Sequence, residues 1–324
     1  MAATRKTTAR KSTGPKRDIY QEVTDRIVAS LEAGTAPWRM PWNTRSGRPQ
    51  NLEGRAYRGI NVLLTGLAAL EHGYSSPFWL TFKQAKERGG TVRKGEAGTL
   101  VVFWTTFQVT DKETGKPKTV PMLRHYSVFN LEQTEGVKLP KRVVDWQAAG
   151  ADFEHEPVES AEAVVTAYLA KGPQLRHGGN RAFYNTLADI ITVPERKSFA
   201  NGDEYYSTLF HEVGHSTGHV DRLARKFGET FGCDDYGREE LVAEMTSAFL
   251  QAETGIDTAQ DNSAAYLQSW IRSIKEDPKA VVVAAGAAQK ATDLILGRTA
   301  PGAVAEDTEQ ISGATEGHLE LSAA

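Results

Sequence analysis

Thiol chemistry is almost missing from this chain: its 324 residues hold one cysteine, Cys233. That excludes an intramolecular disulfide and any zinc cage made only of thiolates. Long apolar runs are missing too. The longest, Ala280–Ala288, is interrupted by a glycine and falls well short of the roughly 18 residues a membrane span needs, so no membrane role is expected. The first 17 residues carry six Lys and Arg with no apolar stretch behind them. A secretory leader is therefore not expected, and a cytoplasmic location is. What remains, 40% hydrophobic and 24% charged, is the composition of a soluble globular chain, and the length suggests about two domains.

The net charge of −3 conceals an asymmetry. Residues 1–150 hold 24 Lys and Arg against 13 Asp and Glu, or +11, whereas residues 151–324 hold 14 against 28, or −14. A basic half offers cations that can displace the counterions of a nucleic acid, and an acidic half repels one.

Periodicity divides the chain into an α+β half and a mostly helical half. Residues 1–17 read as a disordered basic arm. Asp18 is a fitting N-cap for an amphipathic helix running to Gly34, with Ile19, Val23, Ile27, Val28 and Leu31 on one face. A second helix is predicted through Leu70 and a third over 79–86. Strands are predicted at 91–93, 99–104 and 125–130. The first domain is placed at 18–140 and a linker at 141–157, where Pro, Gly and Glu mix without period. The second domain, 158–298, carries helices predicted over 161–170, 205–218, 238–254 and 263–296, with an extended piece over 182–193. Residues 299–324 lack Lys and Arg altogether and read as a disordered acidic tail.

The chemistry concentrates at His211-Glu212-Val213-Gly214-His215. Residues four apart stack one turn above each other on a helix, so both imidazoles face one metal ion while Glu212 stands ready as general base. By composition such a pattern arises by chance in a chain this long on the order of once in a hundred. A hydrolytic zinc site needs a third protein ligand and an open position. Glu240 and Glu244, 25 and 29 residues past His215, lie one turn apart on a later helix. Glu240 is the favoured ligand, and Glu244 is assigned to hold a histidine ring from behind, with the two roles open to exchange. His219 is the other candidate ligand; on a continued helix it would sit too far from His211. Oxyanion donors are sought among His219, Tyr205, Tyr206 and Tyr236.

Five of the six tryptophans precede Gly150, interleaved with cations. Aromatic faces beside cations are what a sequence-tolerant single-strand binder uses. Trp38, Arg39, Trp42, Arg55, Tyr57 and Arg58 are favoured because their context is polar and rich in Gly and Pro. Lys83, Arg93 and Lys94 are added as backbone-binding cations. Trp79 and Trp104, in apolar segments, are expected in the core.

These features together resemble a known family. Gly34-Thr35-Ala36-Pro37-Trp38, Arg58-Gly59-Ile60-Asn61, Trp79-Leu80-Thr81-Phe82-Lys83-Gln84-Ala85 and Val92-Arg93-Lys94-Gly95-Glu96 resemble the N-terminal single-stranded-DNA-binding domain of ArdC-type antirestriction proteins, which also occurs at the front of TraC-type plasmid primases. Tyr206 to Glu212, Thr217-Gly218-His219, Arg222-Leu223 and Glu239 to Glu244 resemble that family's zincin-like metallopeptidase domain. The resemblance runs from about Asp18 to Gly297. It implies a mobile-element protein that binds single-stranded DNA and shields it from host restriction enzymes, with a zinc (Zn2+) peptidase site whose substrates would be restriction enzymes or other DNA-bound proteins. Two alternatives stand beside it: a metalloprotease that its basic domain docks on DNA, and a non-enzymatic primase accessory with structural zinc. Retention of Glu212 argues against structural zinc, and no acidic metal motif of the primase kind is visible.

Overall fold

The computed structural model describes residues 17–38, 48–111, 115–149, 157–227, 234–256 and 264–298. The basic arm up to residue 16, the acidic tail, Cys233, and the proposed DNA contacts Arg39 and Trp42 lie outside these residues. The fold is α+β, as the periodicity indicates.

In the first half, α1 (Ile19–Glu32) starts where Asp18 accepts a hydrogen bond from the Gln21 N–H at 3.1 Å. Then come β1 (Gln50–Asn51), α2 (Ile60–His72), β2 (Phe78–Thr81), α3 (Phe82–Glu87) and β3 (Thr91–Val92). A long hairpin of β4 (Thr99–Thr110) and β5 (Pro117–Asn130) precedes β6 (Thr134–Glu135) and α4 (Lys141–Ala149). Sheet order is β1-β2-β5-β4, with β1 parallel to β2 and the rest antiparallel.

Two expectations need correction here. The helix predicted over 79–86 is a strand followed by a shorter helix. Phe78, Trp79 and Leu80 are all buried, with both faces covered as in an interior strand paired on each side, and a capping box between Thr81 and Gln84 starts α3 at Phe82. The segment from 141 is no linker at its start. It forms α4, whose Val143 is buried with Leu52, Phe78 and Leu80 and whose Trp146 meets Phe78 edge-on at 5.4 Å.

The second half contains α5 (Pro157–Leu169), β7 (Gln174–His177), β8 (Phe183–Asn185), β9 (Ile190–Val193), α6 (Gly202–Ser216), α7 (Asp234–Thr254), α8 (Ala264–Glu276) and α9 (Ala280–Ile295). Its small sheet has the order β7-β9-β8, leaving β8 at an edge. The single helix predicted over 263–296 is two helices. Asp277-Pro278 falls between them, and proline cannot continue the backbone ladder. Among the described residues no helix is long and apolar enough to cross a membrane.

One apolar core crosses the boundary between the halves. Val23, Ile27 and Leu31 of α1 and Leu63 and Leu64 of α2 belong to the same buried cluster as Met245 and Phe249 of α7, Trp270 of α8 and Val281 and Ala285 of α9. Trp38 packs edge-on against Trp270 at 5.2 Å. Polar bonds cross the same boundary. Arg48 pairs with Glu253 and donates to the Tyr57 carbonyl at 2.8 Å, while the Gln289 side chain accepts from the Gly59 N–H at 3.0 Å.

Candidate metal centre

Helix α6 is set by Asn201, whose side chain accepts from the Glu204 N–H at 2.9 Å, and by a face of Tyr205, Tyr206, Leu209, Phe210 and Val213 buried beneath it. With that face fixed, the opposite face presents His211 and His215. Their rings meet edge-on with centroids 4.7 Å apart, and their Nε2 atoms lie 3.1 Å from one another. Helix α7 packs across them because Gly214 leaves room: a Cβ there would stand 3.2 Å from the Ala243 Cα and 3.2 Å from the Thr246 Cβ. This close approach brings Glu240 to 3.5 Å from the His211 Nε2 and 3.4 Å from the His215 Nε2. Donor atoms of His211, His215 and Glu240 all lie within 4.8 Å of one another.

Three lone-pair donors pointing at one another, two imidazole nitrogens and one carboxylate oxygen, form the set that a catalytic zinc ion takes, so the residues present fit that group. Each ring is also held from its far side. Glu244 lies 3.6 Å from the His211 Nδ1, the position foreseen for it. Glu239 lies 3.3 Å from the His215 Nδ1, and the sequence reading assigned it no role. Arg225 in turn grips Glu239 at 2.7 and 2.9 Å and donates to the Gly214 carbonyl at 2.9 Å, tying the second ring to α6 itself. An Arg nine residues past the end of α6 carries no sequence signal for such a task.

Electrostatics follow from this packing. Burial opposes charged imidazoles, yet contact with Glu240 raises His211, and Glu239 and Glu240 together raise His215 to about 10. Burial likewise opposes charge on Glu240, but both histidines hold it far below the usual carboxylate range. Glu212 is 7% exposed, and burial raises its carboxyl against the pull of His211 and His215. The backbone of Tyr184, on the edge strand β8, pulls the other way and lowers it. That strand is pinned by Arg222, which bonds Asp189 and the Tyr184 hydroxyl.

The remaining candidates fall apart by location. His219 is not part of the donor cluster; its Nδ1 accepts from the Asp221 N–H at 3.2 Å. The Tyr205 hydroxyl bonds His177 at 2.9 Å, and that of Tyr206 bonds Glu162. The side chain of Tyr236 lies outside the described residues. Among the predicted DNA contacts, Trp38 and Tyr57 are corrected: they are 2% and 7% exposed and belong to the shared core, where no base can stack on them. Arg58 is turned inward to the buried Asp293. Arg55, Lys83, Arg93 and Lys94 are exposed, with Lys83 3.6 Å from Glu87 and Arg93 2.7 Å from Glu96. Trp104, expected in the core, is 42% exposed.

Comparison with known proteins agrees with both halves. Residues 17–129 match the N-terminal domain of anti-restriction factor ArdC, and residues 159–287 match a zincin-like metallopeptidase. The ArdC antirestriction protein of plasmid R388 is 41% identical in its metal-free crystal structure, with a TM-score of 0.70 over 86% of this chain and 97% of that one. Its Mn(II)-bound structure gives 40% and 0.69. The protein y4eC of Sinorhizobium fredii is 35% identical over 85% of this chain and 91% of its own. The DNA primase TraC of Escherichia coli is 36% identical over 306 residues, of which this chain spans only 27% of the primase's length.

Proposed function

Because the chain belongs to the ArdC family of antirestriction proteins, with a zincin-like metallopeptidase domain and kinship to the TraC primases, we propose that it binds single-stranded DNA, shields it from restriction enzymes, and carries a zinc-dependent peptidase site. The observation carrying the enzymatic part is the convergence of His211, His215 and Glu240 on one point beside the buried Glu212.

Bound there, zinc would lend Lewis acidity to a scissile carbonyl and acidify water. The chain's own residues do the rest. Glu212 takes a proton from water and passes it to the leaving amine. Glu239 fixes the tautomer of His215 by accepting from its Nδ1, and Glu244 faces the His211 Nδ1 from behind at 3.6 Å. An extended peptide added along the edge strand β8 would pass directly by Glu212. DNA binding is supported by the +11 charge of residues 1–150 and by the family.

Elemental analysis and peptide hydrolysis test the site together. About one zinc per chain is expected, lost in the His211→Ala, His215→Ala double variant and in Glu240→Ala. In Glu244→Ala zinc is kept but bound roughly ten- to a hundredfold more weakly. Glu212→Gln keeps its zinc while hydrolysis slows by about a hundredfold or more. Full zinc retention in the double histidine variant overturns the site. Loss of zinc in Glu244→Ala but not in Glu240→Ala exchanges the glutamates.

A further inference from the structure

Most of the aromatic residues nominated from sequence for DNA contact are buried or lie outside the described residues, yet the first half does expose an aromatic and cationic surface elsewhere. Strand β2 pairs with β5 only at residues 128–130, whereas β4 and β5 pair with each other all the way from Thr99↔Val128 to Thr110↔Pro117. The hairpin therefore runs on past the sheet as a two-stranded ribbon, about 17 Å long from Thr105 to Thr110 at the usual strand rise. Asn61 bonds the backbone of Val102 on the outer edge of β4, donating to its carbonyl at 2.7 Å and accepting from its N–H at 2.8 Å. Beyond Val102, β4 is the outer strand of its sheet.

The side chains past that point have a consistent chemistry. Cross-strand partners share a face, so Phe103, Arg124, Tyr126 and Phe107 stand together. The rings of Phe103 and Tyr126 are 5.8 Å apart and lean on the shared core at the base of the ribbon, and further out the Arg124 guanidinium lies 5.2 Å from the Phe107 ring. On the other face stands Trp104, the one exposed tryptophan among the described residues, 6.3 Å from the Tyr20 ring, over which Lys279 sits at 5.6 Å. Neither strand of the hairpin contains an Asp or Glu, and its formal charges are Lys118 and Arg124. Aromatic faces beside cations, with no carboxylate between them, suit a flexible polyanion whose bases are unpaired.

We propose that single-stranded DNA crosses the outer edge of β4 on this ribbon, stacking bases on Trp104 and on Phe107 while Arg124, Lys118 and Lys279 take its phosphates. The inference rests on the single-strand reading above and names the surface that performs it. Duplex DNA is disfavoured there because its bases are already stacked on one another and have no free faces to offer.

The full chain, titrated with a fluorescent oligonucleotide of about 20 bases across a salt series, separates the outcomes. Trp104→Ala should bind roughly tenfold more weakly and Trp104→Tyr nearly as wild type. Arg124→Ala should lower the salt slope by about 0.7. Lys171→Ala, an exposed cation of the other half, is the control expected to change nothing, and thermal unfolding of each variant verifies the fold. If wild type itself fails to bind, the single-strand reading falls. If wild type binds and folded Trp104→Ala and Arg124→Ala bind equally well, the ribbon is not the surface. Weaker binding accompanied by a changed oligomeric state in light scattering would reassign the ribbon to contact between copies of the chain.

Discussion

Glu239 and Glu240 are neighbours in sequence with opposite duties, one behind a histidine ring and one in front of two. The HExxH pattern was legible because i,i+4 spacing on a helix leaves little freedom. Glu240 was legible because a third ligand is obligatory. Glu239 was not, since its task exists only once Arg225 and His215 meet it in space. The tryptophans teach the converse. A Gly- and Pro-rich context made Trp38 look like a surface residue, but it lies against Trp270, more than 200 positions on, which no local pattern reveals. A charged residue with a similarly distant partnership gives a pH test. Burial opposes charge on Glu253, but hydrogen bonds from Arg298 at 2.7 and 2.8 Å and the nearby Arg48 hold its carboxyl below the usual range. A depressed folded pKa stabilises fully above the unfolded value of about 4.3, and that stability is lost as pH falls through the folded pKa. Chemical denaturation at neutral pH should show Glu253→Ala about 3 kcal/mol less stable, because Arg48 is left buried without its partner. Below pH 4 the gap to wild type should narrow; a gap independent of pH would remove Glu253 from the acid response.

At the level of elements, the helices with strong periodicity were legible and their junctions were not. The break at Asp277-Pro278 and the strand at Phe78–Thr81 were both signalled by chemistry, a proline and a Thr81–Gln84 capping box, but an apolar run masked each signal. β7 escaped notice because its residues alternate too weakly to stand apart from a loop. The α6–α7 contact is the element-level feature on which the metal centre depends. Gly214 in the middle of a helix costs about 1 kcal/mol against alanine, and close approach of α7 explains its presence. Gly214→Val should push α7 outward, destabilise the fold by roughly 1–3 kcal/mol and weaken zinc binding by about tenfold or more as Glu240 withdraws. Gly214→Ala, which asks its neighbours to give only slightly, should fall between. Zinc affinity of Gly214→Val equal to wild type would show that the centre tolerates a wider helix pair.

Across the whole molecule, a basic half and a half bearing the HExxH motif were legible from charge and motif, but their union was not. The core that joins α1 and α2 to α7, α8 and α9 implies that neither half is complete alone. Thermal unfolding followed separately by tryptophan fluorescence and by metal release should therefore give one coincident transition, and Trp38→Ala should lower both, by about 3–5 kcal/mol of stability. Two transitions would mean the shared core is weaker than its burial indicates. Sharing a core does not oblige the halves to share chemistry. The HExxH helix lies in the half carrying −14, and covering DNA requires no bond cleavage. The most direct measurement is restriction protection of single-stranded and duplex DNA by wild type beside Glu212→Gln, with DNA affinity measured on the same samples. The expected result is that wild type protects single strands and that Glu212→Gln, still folded and metal-loaded, protects them equally while hydrolysing no peptide. Complete loss of protection by Glu212→Gln at unchanged DNA affinity would contradict this, and would mean that the chain acts by cleaving the restriction enzyme.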